Sequence, residues 1–370
     1  MKIGFDAKRA FFNKSGLGNY SRNVIRLLSE FYPNNEYILY TPSTKDAIDF
    51  EKSGNISIST PATITSSISK SYWRSFQLTK QLQNENIEVY HGLSNELPNK
   101  INDTNIKSII TVHDLIFMRF PELYKHVDRN IYIKKIKTGC QSADKIIAIS
   151  NQTKNDLVNF LNIKEKKIEV VYQGCNPIFY NKVDDIKKSE IKKKLSLPNN
   201  YILYVGTIEK RKNLLNIVKA IKEFNIDIEL VAVGRRTDYY NEIANYISKN
   251  NLKDKIHFYH SIETIDLPAI YQMAELFVYP SIFEGFGIPI IEAINSKIPV
   301  ITSQGSCFSE AGGESTIYID PNNIEEIARS IIKVLSNNSL KNKMIENGIA
   351  FAQKFTDKKI AKDLMKIYLK

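Results

Sequence analysis

Leu276-Phe277-Val278-Tyr279-Pro280-Ser281-Ile282-Phe283-Glu284-Gly285-Phe286-Gly287-Ile288-Pro289-Ile290-Ile291-Glu292-Ala293 is the stretch on which the reading of this chain turns. Its first four residues are apolar and suit a strand buried on both faces. The apolar run from about Pro289 suits a helix that tolerates proline in its first turn. A glycine-containing turn between strand and helix aims backbone N–H groups at an anion, with the positive end of the helix dipole behind them. Two carboxylates flank the turn, Glu284 before the glycines and Glu292 one to two turns into the helix. Donors for phosphate and acceptors for hydroxyls therefore meet in one place, which fits a ligand carrying both phosphate and sugar hydroxyls.

Outward from that stretch, short apolar runs alternate with amphipathic ones. The strand candidates are residues 2–5, 37–40, 56–59, 89–91, 109–112, 145–149 and 169–172, then 201–205, 229–233, 256–258, 276–279, 300–302 and 316–319. Helical patterns cover 19–31, 130–142, 214–224 and 324–335. Alternation of buried strands with helices means parallel sheets covered on both faces. The pattern stalls at 181–200, a polar, charged stretch ending in Leu197-Pro198-Asn199-Asn200, which reads as a linker with a short helix. The expected architecture is α/β: two Rossmann-like, doubly wound parallel-sheet domains, residues 1–180 and 201–355, facing across a cleft. Ligands of such sheets bind at the carboxyl ends of the strands.

The chain has 370 residues, 43% apolar and 25% charged, enough for two real cores. The N-terminus runs from Met1-Lys2 straight into a strand candidate, and no apolar run approaches the ~20 residues of a membrane span. Three scattered cysteines, Cys140, Cys175 and Cys307, have no metal-ligand spacing and suit a reducing cytoplasm. The net charge of +11 is uneven: residues 1–200 carry 30 Lys and Arg against 20 Asp and Glu, and residues 201–370 carry 21 against 20. One-sided basicity suggests an anionic membrane surface or a large anionic acceptor, unless it is only a solvated lysine-rich face. No nucleic-acid motif accompanies it, so nucleic acid is not an expected partner.

Further motifs follow strand candidates. Gly16-Leu17-Gly18-Asn19 opens a helix after the first strand; it lacks the third glycine of the dinucleotide fingerprint, since position 21 is Ser21, and alone it is equally a tight turn. His113, in Thr111-Val112-His113-Asp114, closes a strand; it could orient or donate to a substrate hydroxyl, or be a hydrogen-bonded structural histidine. Gly206-Thr207-Ile208-Glu209-Lys210-Arg211-Lys212-Asn213 places Arg211 and Lys212 beside a helix start, a clamp for a diphosphate or simply a basic loop. Gly234 and His260-Ser261 close two more strands and suit the lining of the same edge.

Together these pieces resemble the retaining glycosyltransferases of family GT4, which have the GT-B fold. Glu284 to Glu292 matches that family's Glu-x7-Glu motif, and Gly206 to Asn213 is similar to its Gly-Thr-x-Glu-x-Arg-Lys-Asn diphosphate motif. The Gly16–Gly18 loop, His113-Asp114, Ala143-Asp144 to Ser150, and Gly174 with Phe179 fall in family order. The resemblance implies that residues 356–370 return as a helix onto the first domain. It implies donor-ribose contacts from Glu292 and donor-sugar contacts from Glu284 and the backbone of Phe286, Gly287 and Ile288. Arg211 and Lys212 would neutralise the leaving diphosphate, His113 would contact the sugar beside its anomeric carbon, and the Gly16–Gly18 loop would close over phosphates and acceptor. Many members carry Arg directly after the glycine of the diphosphate motif; here it is Thr207, a feature shared by a subgroup rich in mannosyl- and rhamnosyltransferases of bacterial surface polysaccharides. The implied co-substrate is a GDP-, dTDP- or UDP-linked sugar, and the acceptor a glycan or lipid-linked glycan such as lipopolysaccharide. No cofactor is expected, and no metal, because the chain has no Asp-x-Asp. The implied location is cytoplasmic, peripheral on the inner face of the membrane. The competing readings are a small soluble acceptor and a non-catalytic nucleotide-sugar-binding module.

Overall fold

A computed structural model describes residues 1–49, 53–61 and 67–370. The chain forms two compact units, Met1–Gln173 with Thr356–Lys370, and Gly174–Phe355. The stretch 181–200, read from sequence as a linker, lies inside the second unit. The chain's helices include α1 (Gly16–Phe31), α2 (His126–Ser142), α3 (Asp185–Leu195), α4 (Leu214–Glu223), α5 (Ile288–Asn295) and α6 (Asp357–Leu369).

The first unit holds a seven-stranded parallel sheet of β1 (Lys2–Asp6), β2 (Glu36–Tyr40), β3 (Ile56–Ser59), β4 (Val89–Gly92), β5 (Lys107–Val112), β6 (Lys145–Ala148) and β7 (Ile168–Val170). Their order is β3-β2-β1-β4-β5-β6-β7, so the winding reverses between β1 and β4. The central strands are buried along nearly their whole length, which explains their uninterrupted apolar sequences. Helix α6 belongs to this unit. It buries Ile360, Ala361, Leu364, Met365, Ile367 and Tyr368, and Asp357 at its start accepts from Arg26 of α1 at 2.6 Å.

The second unit holds six parallel strands, β8 (Tyr201–Val205), β9 (Glu229–Val233), β10 (Ile256–Tyr259), β11 (Leu276–Tyr279), β12 (Val300–Ser303) and β13 (Ile317–Ile319), ordered β10-β9-β8-β11-β12-β13. Here the winding reverses between β8 and β11, and a crevice at the carboxyl ends of those two strands is the natural ligand position. The sequence-predicted strands are all present among the described residues, with ends moved by one to two residues. Helix α2 begins at His126, four residues before its amphipathic pattern starts.

Candidate active site

The two loops that leave the reversal point of the second sheet carry the residues singled out in the sequence. The loop after β8 contains Gly206 to Asn213, and the loop after β11 runs from Pro280 to Gly287. They converge on one atom, Oε1 of Glu284. Arg211 Nη1 lies 2.9 Å from it and Lys212 Nζ 2.8 Å, while the hydroxyls of Tyr279 and Ser281 donate at 2.8 and 2.7 Å. Arg211 also pairs with Glu209 at 2.6 Å and donates to the Phe283 carbonyl. The side chains of Arg211, Lys212 and Glu284 are each 13% exposed. Burial alone would raise the Glu284 carboxyl, but Lys212 and Arg211 outweigh it and hold the group at about 2, a fixed carboxylate at neutral pH. Two cations and two carboxylates, Glu209 and Glu284, therefore balance within this cluster. A phosphate arriving here competes with Glu284 for the same donors.

Gly287 caps α5 with φ of +109° and ψ of 48°, in the left-handed region where a Cβ is strained. The turn is fastened from behind: Ser306 Oγ donates to the Glu284 carbonyl at 3.1 Å and Cys307 Sγ to the Phe286 carbonyl at 2.9 Å. The Phe286 ring is buried against Phe355, so this residue can offer a ligand only its backbone. Pro289 has no N–H and the Ile290 N–H donates to the Gly287 carbonyl at 3.0 Å, so with the other carbonyls held inward the helix start can present the N–H groups of Gly287 and Ile288. Glu292, on the next turns of α5, accepts from Tyr271 at 3.0 Å. Burial raises its carboxyl to about 7, opposed by the Tyr271 bond. Glu284 and Glu292 thus stand in opposite electrostatic settings, one saturated with cations and one with a single phenol.

Gly234 and His260 are brought together in a different way. A Cβ on Gly234 would sit 1.8 Å from the Gly206 carbonyl oxygen, so the glycine permits the loops after β8 and β9 to touch. His260 donates from Nδ1 to the Gly234 carbonyl at 2.9 Å, and its Nε2 accepts from Arg236. Both ring nitrogens are occupied in supporting the loop. Ser261 is exposed beside it.

His113, Gly16, Gly18 and Asn19 belong to the first unit. His113 follows β5 and is held on four sides. Its N–H donates to Asn95 Oδ1 at 3.1 Å, its carbonyl accepts from Thr153 at 3.1 Å, its Nε2 meets the Leu93 carbonyl at 2.9 Å, and its ring meets Tyr20 edge-on at 4.7 Å. Burial lowers the imidazole to about 4, so the ring is neutral at pH 7. A carbonyl can only accept, so the one ring proton is on Nε2 and Nδ1 is an acceptor. Of the readings left open for His113 (orienting a hydroxyl, donating to one, or structural support), donation does not fit this tautomer, and toward a hydroxyl the ring can only accept. The histidine's setting also includes residues that no local motif announced. Tyr20 bonds Thr111 at 3.0 Å, Thr111 bonds His91 Nε2 at 2.8 Å, and His91 Nδ1 bonds Tyr368 of α6, one buried chain ending at the brace of His113.

In the glycine loop, a Cβ on Gly18 would lie 1.8 Å from the Asn13 carbonyl oxygen, whereas Gly16 faces open space. Asn19 Oδ1 accepts from Arg22, which also grips the Ala10 and Asn13 carbonyls. Gly18 and Asn19 therefore shape the loop.

Comparison with known proteins gives the family. Residues 14–178 match the family Glycosyltransferase Family 4, and residues 185–351 match Glycosyl transferases group 1. O-antigen chain mannosyltransferase B of Escherichia coli is 26% identical over 72% of this chain and 70% of its own length. O-antigen chain mannosyltransferase RfbU of Salmonella typhimurium is 32% identical over 60% of this chain and 59% of its own. Among solved structures, a sucrose-phosphate synthase from Thermosynechococcus elongatus superimposes with a TM-score of 0.81 at 19% identity, covering 100% of this chain and 98% of that one. The chain belongs to the group 1 glycosyltransferases of family 4 and is a glycosyltransferase of the GT-B fold.

Proposed function

We propose that this enzyme moves a hexose of the mannose or rhamnose type from a nucleotide-diphosphate sugar to a growing lipid-linked or cell-surface glycan, with retention and without a divalent metal. The observation that carries the reading is the convergence of Arg211, Lys212 and Glu284 at the start of α5. Charge accumulates on the departing diphosphate in an oxocarbenium-like transition state, and cations aimed there stabilise it more than the ground state. Arg211, Lys212 and the α5 N-terminus supply that charge. Glu284 accepts from the donor sugar's hydroxyls and Glu292 from the ribose. His113 accepts from a sugar hydroxyl through Nδ1. The bond between the anomeric carbon and the phosphate oxygen breaks and a bond to the acceptor oxygen forms on the same face. The acceptor's proton passes to the departing diphosphate, so no covalent enzyme intermediate forms. Mannose is favoured by the names of the two curated relatives.

The donor is tested by thermal shift with GDP-, UDP-, dTDP- and ADP-linked sugars and the matching diphosphates, without metal. A ligand at ~100 times its Kd should stabilise the fold by about 2.7 kcal/mol. A selective shift for one nucleotide fixes the donor, and a shift that appears only on adding a divalent ion refutes metal independence. The lipid-linked acceptor calls for peripheral membrane contact, since among the described residues no helix is long and apolar enough to cross a bilayer.

A further inference from the structure

The first unit carries nearly all of the excess charge, 29 Lys and Arg against 19 Asp and Glu, while the second carries 22 against 21. Within the first unit the helix α2 is mostly exposed. Of the 17 residues of α2, only Ile136, Gly139 and Cys140, all in its second half, are buried. That half lies close on the sheet: a Cβ on Gly139 would sit 2.7 Å from Ile110 of β5. The helix runs back along the strand that precedes it, so its first half points toward the carboxyl end of β5. At ~1.5 Å per residue, Val127 lies about 18 Å from Gly139 along the axis, whereas the strand from Ile110 to Val112 extends only about 7 Å. The first turns of α2 therefore overhang the sheet edge on which His113 sits.

This overhang is apolar where nothing covers it. Val127 is 68% exposed and Ile131 47%, one turn apart on one side, and Leu123 just before the helix is 42% exposed. Tyr132 is different, since it packs edge-on against Phe117 and Tyr124. Beside the apolar ridge stand Lys125, Lys134, Lys135 and Lys137, with the acidic residues Glu96, Glu122 and Asp128 nearby, while Arg129 is half-buried on the opposite side of the helix. Lys135 is tied to Glu96 at 3.0 Å, while Lys125, Lys134 and Lys137 are exposed. A ridge of exposed aliphatics bordered by long cationic side chains fits the interface of an anionic bilayer, where the aliphatics enter the acyl boundary and the lysines meet phosphates.

We infer that the first half of α2, with Val127 and Ile131 as anchors and Lys125, Lys134 and Lys137 as headgroup contacts, is the surface by which this enzyme docks on anionic phospholipid. The inference rests on the reading of a lipid-linked acceptor and gives it a geometry. The docking helix and His113 share one edge of one sheet, so an acceptor carried in the membrane is delivered at that edge.

The test is co-sedimentation of the full chain with phosphatidylglycerol-rich and with pure phosphatidylcholine vesicles. The wild-type chain should bind the first far more than the second and be released by high salt. Val127→Asp with Ile131→Asp should lower binding roughly tenfold, and Lys134→Glu with Lys137→Glu should do the same while removing most of the salt dependence. Both pairs are exposed, and unchanged thermal unfolding and nucleotide-sugar shift will show that the fold and donor site are intact. Equal binding to both vesicle types, or anionic binding untouched by both double variants, overturns the inference. A chain that transfers sugar to a detergent-dispersed lipid acceptor yet ignores vesicles loses the docking face and keeps the acceptor reading. A chain that binds the vesicles through these residues but uses only a water-soluble acceptor keeps the face and loses that reading.

Discussion

Glu284→Gln separates the structural from the ligand-facing role of the cation cluster. Glutamine has the size of the protonated acid, so the substitution reports the energy of the charge alone. The carboxyl sits at about 2 against an ordinary 4.5, and each unit is worth ~1.36 kcal/mol, so the ionised form contributes about 3 kcal/mol at pH 7. Its side chain is 13% exposed, so solvent screening removes little of this. The sign follows from a depressed acid: the stabilisation is complete above about 4.5 and is lost as pH falls toward 2. Glu284→Gln should therefore lower the unfolding temperature by roughly 6–12 °C at pH 7, taking 2–4 °C per kcal/mol for a unit of this size. The gap should narrow as the pH is lowered below about 4.5. A nucleoside diphosphate should then stabilise the variant more than the wild type, because Arg211 and Lys212 no longer have Glu284 to satisfy them. Sugar transfer should fall about 10²-fold, since the donor sugar loses an acceptor. Differential scanning fluorimetry with and without the diphosphate measures the first three effects. A variant as stable as wild type at pH 7, or one that no longer responds to diphosphate, would refute the account of a carboxylate holding the phosphate's place.

Lys212→Ala should lower kcat more than nucleotide-sugar affinity, by roughly 10²-fold, and an unchanged kcat would remove Lys212 from the leaving-group clamp. Glu292 has a raised acid, so ionising it costs folding energy as pH rises from about 4.5 through 7, whereas ribose hydroxyls favour the ionised form. Calorimetric affinity for a nucleotide sugar should therefore rise between about pH 6 and about pH 8, and Glu292→Gln should flatten the profile. Thr111→Val removes the hydroxyl between His91 and Tyr20 and should cost about 1–3 kcal/mol of stability in chemical denaturation, with Thr111→Ser close to wild type. Gly234→Ala must push its loop away from the Gly206 carbonyl and should destabilise by about 1–3 kcal/mol, with a larger loss of nucleotide affinity than of stability.

The strands were legible because a parallel sheet buried on both faces writes itself as uninterrupted apolar runs, as in Tyr201–Val205 and Leu276–Tyr279. The start of α5 was legible to within a residue because Pro289 suits a first helical turn, and the structure begins the helix at Ile288, after Gly287 with a φ of +109°. What joins Lys212 to Glu284, 72 residues apart, is the adjacency of β8 and β11, a property of strand order that no spacing reveals. The partners supplied by Tyr279, Ser281 and Tyr271 were hidden for the same reason, since buried tyrosines in apolar runs read as core. His260 and Gly234 were singled out as lining, yet their polar groups are taken up by one another and by Arg236 and Tyr259. The start of α2 was misplaced because amphipathicity marks only the stretch of a helix that buries a face, and the first turns of α2 bury no residue, Tyr132 only packing edge-on against Phe117 and Tyr124.

The path of the chain through its two units has a consequence for biosynthesis. The first unit is interrupted by the whole of the second, and its share of α6 is made last. During translation Gly174–Phe355 is entirely synthesised before Tyr368 exists to meet His91 or Asp357 to meet Arg26. The nascent first sheet therefore waits with an open flank and with His91 held only through Nε2 by Thr111, while the second unit can already close. Chains that stop short of residue 356 would carry a complete second unit joined to a first unit left open along α1, where Arg26 lacks Asp357.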